Sequence, residues 1–179
     1  MYGGDEALQG YADANRGGDN DGRRSTTGFV ITLNGGPISW ARKRQSTVAT
    51  SKAEAEYVAA AMATTEALWL CKMLLALGVD GGAVPMGEHN QSCLALVNNP
   101  KATGRTKRVV VADHIVRDYQ ARGGVAFYFR PSAQMPAGGL TKPLPSPAFT
   151  AFRAAVAIGE DLGAVAQGAE LGDPLLGKS

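Results

Sequence analysis

The stretch Gly28–Gly78, "GFVITLNGGPISWARKRQSTVATSKAEAEYVAAAMATTEALWLCKMLLALG", decides the fold. Its first part holds two β-rich runs, "GFVITL" and "PISWARKR", joined through "NGG". Asparagine followed by glycine tolerates the positive φ angles of a tight hairpin turn, so the runs are read as paired antiparallel strands. The second part is an alanine- and leucine-rich segment of helical length. Ser51, three residues before Glu54, predicts the N-terminal cap of that helix, and Gly78 predicts its stop.

Upstream of the hairpin, "LQGYADA" reads as a strand, followed by the Gly- and Asp-rich loop "NRGGDNDGRRST". Downstream, "AVPMGEH" reads as a short strand running into a helix, "QSCLALVNNP", that starts near Gln91. "ADHIVRDYQARGG" follows as a helix, "VAFYFRP" as a strand and "SPAFTAFRAAVAIG" as a last helix. The order β β β α β α α β α predicts an α/β fold: a mixed sheet, antiparallel in its first three strands, with helices packed against it. Residues 1–157 are expected to form one domain and residues 158–179 a Gly-rich C-terminal tail.

At 179 residues the chain can bury a core without disulfides or metal staples. Cys71 and Cys93 form neither a disulfide framework nor a zinc pattern, which favours a reducing compartment. The start "MYGGDEALQG" lacks the basic and apolar regions of a signal peptide, and "ALWLCKMLLAL" is broken by Lys72 and too short to span a bilayer. The expected setting is intracellular, cytoplasmic or nuclear rather than secreted, with no membrane partner. A net charge of +2 is too small to argue for nucleic acid by itself; "RRSTTG", "ARKRQS" and "TGRTKR" are three separate basic clusters, each read equally as solvated surface or as a charged patch.

Two motifs fail on their mechanics. Gly172–Ser179 spells a phosphate-loop pattern, but that loop needs a following helix to receive the phosphate, and the chain stops at Ser179. Asp13, Asp19 and Asp21 suggest a calcium loop, yet its closing glutamate position holds Arg24. What remains is a pair of acids. Asp13 lies on the first strand, sharing a face with Tyr11 and opposing Ala12, and Glu56 lies one to two turns into the long helix.

Around those acids the pieces "GYADAN", "RRSTTGF", "GGPISWARKRQ" and "SKAEAEYVA" occur in order. With "NQSCLAL", "RTKRVVVADHIVRD", "VAFYFRP" and "LTKPLPSPAF" they resemble the ribonuclease H domain of copia-type LTR retrotransposon polyproteins, from about Gln9 to Phe152. The resemblance implies a ribonuclease H-like sheet and an endonuclease that cuts the RNA strand of an RNA–DNA hybrid. It also implies two Mg²⁺ ions about 3.5–4 Å apart, held by four carboxylates. A reverse transcriptase domain in the same polyprotein is the implied context.

Of the four acids, Asp13 and Glu56 match, and Glu54 is left to the helix cap. His89 stands where the family has its third aspartate, and Gly138 where it has its fourth. Val110 departs at a neighbouring aspartate, while His114 and Arg117 match; His114 is a further catalytic candidate. Imidazole is a poor ligand for Mg²⁺ and a tolerable one for Mn²⁺, so weakened metal binding and cleavage are expected. Glu88 precedes His89 and, by strand alternation, is expected to face away from the site unless the strand end is bulged or frayed. Arg24, Ser25, Thr26, Asn90 and Gln91 match substrate-facing positions, with Arg42, Lys43 and Arg44 along the nucleic-acid backbone. Trp40 after Ile38 reads first as core. The alternatives to an impaired hybrid ribonuclease are a catalytically inactive nucleic-acid-binding or interaction module and a non-functional retroelement relic.

Overall fold

The computed structural model describes residues 8–18, 22–98 and 107–156. The asparagine–glycine turn forms as the sequence predicts. Asn34 and Gly35 have φ angles of 52° and 80°, and this two-residue loop joins β2 (Thr26–Leu33) to β3 (Gly36–Arg44). β1 (Leu8–Asn15) pairs antiparallel with β2 along its length, with Asp13 opposite Gly28.

The long helix, α1, runs Lys52–Ala76. The Glu54 N–H donates to Ser51 Oγ at 3.1 Å, as a cap should. The reciprocal arm lands one residue early: the Glu54 carboxylate accepts from the N–H of Thr50 at 2.7 Å and from its hydroxyl. At the other end Gly78 takes a φ of 83°, and the N–H groups of Gly78 and Val79 donate to Leu75 and Leu74 carbonyls. This double closure satisfies carbonyls that the helix end would otherwise orphan.

After α1 come β4 (Val84–Glu88), α2 (Gln91–Asn98), α3 (Lys107–Ala121) and β5 (Val125–Phe129). β4 pairs parallel with β1 and β5 parallel with β4, giving the order β3-β2-β1-β4-β5. The expected mixed sheet is present. Unanticipated was α4 (Gly138–Thr141), a single turn too short for any periodic pattern, before the last helix, α5 (Ser146–Ala155).

Ala55, Ala59, Ala63 and Ala67, spaced one turn apart, bring α1 down onto Ala12, Ala14, Phe29 and Ile31. Side chains the size of Ile31 or Met86, both fully buried, contribute about 1.5–3 kcal/mol each. By length and composition α1 could cross a membrane. Here it is a core helix carrying a fully buried glutamate, Glu56, against the sheet. The opposite sheet face is covered by Met135, Ala137, Leu140 and Phe152 over Tyr11 and Val30. There α4 sits so close that a Cβ on Gly28 would lie 2.9 Å from the Ala137 carbonyl oxygen and from Leu140 Cβ.

Trp40 corrects the sequence reading. It is 48% exposed, because β3 is an edge strand and this end of its face is uncovered. The side chain of Val110, Asp19, Asp21, Gly172–Ser179 and the proposed tail lie outside the described residues.

Candidate active site

β1 and β4 run parallel and end side by side, and α1 crosses behind them. The crevice at such strand ends is where side chains from different elements converge. Pleating sends Asp13 to the α4 face. Its Oδ2 accepts from the Thr141 hydroxyl, and its Oδ1 lies 3.3 Å from Lys142 Nζ. Glu56 reaches the same end from the α1 face, where its Oε2 accepts from the Ala14 N–H at 2.7 Å. Both acids are buried, with exposures of 1% and 0%.

His89 follows the last residue of β4, and its ring lies between the two acids. Nδ1 is 3.2 Å from Asp13 Oδ1, and Nε2 is 3.5 Å from Glu56 Oε1. Lys52 Nζ stands 3.3 Å from Nε2. The sequence thus located Asp13, Glu56 and His89, and the structure brings them together.

Glu88 is a correction. Its carboxylate does not keep away from the site; it is fully buried, with Oε1 3.6 Å from His89 Nδ1. The reason is local: Oε1 accepts from the Asn90 N–H at 2.7 Å, which folds the carboxylate back over the strand end. Alternation describes the strand interior and fails where the ladder stops.

Crowded carboxylates away from water hold their protons. Burial, then the charges of Glu88 and Asp13, push the Glu56 carboxyl up to about 9. Burial, with the Asp13 charge adding to it, pushes Glu88 up to about 7. Burial lowers His89, against the pull of Asp13.

A divalent cation would relieve that crowding, and the donor set fits one. Asp13, Glu56 and His89 each offer a ligand atom, all within 4.8 Å of one another. Glu56 Oε1 and His89 Nδ1 are each buried and make no hydrogen bond, which is uncommon for buried polar atoms. Gly138 adds nothing: it opens α4 and has empty space where its Cβ would be.

The other expected residues fall around this centre. Arg24 is exposed, Ser25 buried and Thr26 half-buried at the start of β2. The Asn90 side chain caps α2, accepting from the N–H groups of Ser92 and Cys93 at 2.9 and 3.1 Å, and Gln91 is exposed beside it. Gln45 is structural: its amide donates to Thr27 Oγ1 and to the Ala55 carbonyl. His114 is exposed on α3, and no described contact joins it to Asp13. Sequence reasoning assigned no role to Thr141, Lys142 or Lys52, although the run "LTKPL" contained the first two.

Strand register extends the site sideways. Asp13–Gly28–Arg42 form one row across the sheet and Tyr11–Val30–Trp40 the next, and Thr26 pairs with Arg44. Opposed residues share a face, so Arg42, Arg44 and Trp40 point the same way as Asp13. Gly18, Thr26, Arg42 and Arg44 line an open groove of about 350 Å³ there.

No family model matches the chain. It is 37% identical over 143 residues to the retrovirus-related Pol polyprotein from transposon TNT 1-94 of Nicotiana tabacum, covering 80% of this chain and 11% of the polyprotein. It is 32% identical over 153 residues to that from transposon RE1 of Arabidopsis thaliana, covering 85% of this chain and 10% of the polyprotein. The chain therefore spans about a tenth of the length of the polyproteins it matches. Among solved structures it is similar to LC11 ribonuclease H1 in complex with an RNA/DNA hybrid. The TM-score there is 0.55 at 15% identity, over 74% of this chain and 92% of that one. The N-terminal ribonuclease H domain of a Mycobacterium tuberculosis protein gives a TM-score of 0.55 at 10% identity, over 83% and 96%. This chain is a ribonuclease H-fold domain homologous to part of the retrovirus-related Pol polyproteins of plant transposons.

Proposed function

We propose that this domain binds an RNA–DNA hybrid and hydrolyses its RNA strand with the help of a divalent cation held at Asp13, Glu56 and His89. The observation that carries the reading is the convergence of these three buried donors beside an open, arginine-lined sheet face. Asp13, Glu56 and His89 would hold the ion, which when bound would supply Lewis acidity for a water nucleophile and offset charge on the phosphate. The chain's own residues do the rest. Arg42 and Arg44 meet phosphates, a contact that needs no base identity. Trp40 offers an exposed ring to a sugar or base on the same face. Thr141 and Lys142 fix the Asp13 carboxylate so that its geometry survives substrate binding.

Mg²⁺ is the ion that the ribonuclease H resemblance implies, and this donor set weakens it. Mg²⁺ demands oxygen ligands in near-octahedral order, and here one acid is an imidazole and another a glycine. The reading takes residues 1–157 as the working unit and a reverse transcriptase domain as its neighbour in the polyprotein.

The test is incubation of the purified chain with a labelled RNA–DNA hybrid in Mg²⁺ and in Mn²⁺, with Asp13→Asn as control. Cleavage of the RNA strand that vanishes in the control is the expected result. Salt-sensitive hybrid binding without cleavage in either ion would reduce the domain to a binding module and overturn the catalytic reading.

A further inference from the structure

We propose that this site selects a single borderline divalent cation, of the Mn²⁺, Co²⁺ or Zn²⁺ kind, and that His89 is the residue that makes the selection. The inference rests on the reading of Asp13, Glu56 and His89 as a cation site, and it adds which ion and how many.

Distances support one ion. Bonds of about 2.0–2.2 Å at tetrahedral to octahedral angles separate neighbouring ligand atoms by about 2.9–3.6 Å. The His89 Nδ1–Asp13 Oδ1 separation, 3.2 Å, falls in that interval, and one ligand atom from each of Asp13, Glu56 and His89 lies within 4.8 Å of the other two. The His89 side chain is 8% exposed and Glu56 0%, and Glu56 Oε1 and His89 Nδ1 are buried without hydrogen bonds, so these donors are held away from water.

Chemistry supports a borderline ion. Imidazole nitrogen suits later first-row ions, whereas Mg²⁺ takes hard oxygens and sheds water reluctantly. A second ion lacks ligands, since Gly138 contributes none. Glu88, at 3.6 Å from the ring, is an outer carboxylate that keeps the pocket favourable to a cation.

The test reads binding, so it is independent of cleavage. Chelator-stripped chain is titrated with Mn²⁺ and with Mg²⁺, by electron paramagnetic resonance for the first and calorimetry for both. One Mn²⁺ per chain is expected, lost in Asp13→Asn. His89→Asp is expected to lower the Mn²⁺-to-Mg²⁺ affinity ratio by at least about tenfold. An unchanged ratio, two equivalent ions per chain, or no ion bound to a sample folded by circular dichroism would each overturn the inference. Should His89→Asp not fold, His89→Ala reads the same point, because it must lose Mn²⁺ and leave Mg²⁺ no weaker. Tight Mn²⁺ binding in a chain that ignores hybrid would sink the proposed function and leave this inference standing.

Discussion

The imidazole of His89 bridges Asp13 and Glu56, its two ring nitrogens 3.2 and 3.5 Å from one carboxylate each. Two acids brought by strand β1 and helix α1 are thereby joined through the end of β4. Burial, then the charges of Glu88 and Asp13, holds the Glu56 proton up to about 9.

Replacing the ring and the glycine should restore hard-oxygen chemistry. His89→Asp with Gly138→Asp is expected to raise Mg²⁺-dependent hybrid cleavage by at least about a hundredfold, about 2.7 kcal/mol of barrier. Nothing lies within 4 Å of a Cβ at Gly138, so the first carbon of the new side chain meets no steric barrier. A folded double variant that binds hybrid and stays inert would show that the defect lies elsewhere.

Asp13→Asn keeps the shape and removes the charge. Divalent-dependent cleavage should fall at least about a hundredfold, because a metal-held carboxylate contributes several kcal/mol of charge stabilisation. Near-wild-type turnover in this variant, measured on the same hybrid, would exclude Asp13 from the chemistry.

Glu56 makes stability depend on pH in an unusual direction. The unfolded group titrates near 4.5, and the folded one holds its proton up to about 9. Between those values the folded chain binds more protons than the unfolded one, so stability falls as pH rises. Glu88, raised to about 7, acts lower in the window, and the lowered His89 acts with opposite sign on the acid side. Thermal midpoints of the metal-free chain between about pH 7.5 and 9.5 should therefore decline, and Glu56→Gln should flatten the decline. A wild-type profile as flat as the variant's would contradict the burial argument.

Arg42 and Arg44 should act on hybrid through charge alone. Arg42→Ala is expected to lower the slope of log affinity against log salt by about 1, uniformly across sequences. The variant's Mn²⁺ affinity should be unchanged, since Arg42 touches none of the three donors. An unaltered salt slope would remove this face from the binding surface.

Gly28→Ala probes how α4 is seated. Its new methyl would meet Thr141 Cγ2 at 2.8 Å and the Ala137 oxygen at 2.9 Å, and the second is backbone and cannot rotate away. A loss of about 1–3 kcal/mol is expected from such overpacking. Denaturant unfolding that matches wild type would mean α4 is not held here.

The features legible in the sequence were those written locally. Asn34–Gly35 carries its turn in two residues, Ser51 and Gly78 carry the limits of α1, and Glu56 is set apart from Glu54 by the cap. Features that depend on neighbours in space were not legible. The inward fold of Glu88 is decided by one N–H, that of Asn90, placed where β4 ends. Trp40 has an apolar residue's pattern and an edge strand's surroundings, and only the sheet order separates the two. Thr141 and Lys142 reach Asp13 from a turn of helix with no periodicity to announce it.

The position of β3 at the sheet's rim has a further consequence, for self-association. An edge strand offers unpaired amides and carbonyls to any strand of a second copy. Arg42, Lys43 and Arg44 repel such a copy along one half of that rim, and Pro37 withholds a donor near the other end. Between these guards, from Ile38 to Ala41, lies the short length through which one domain can add a strand to another.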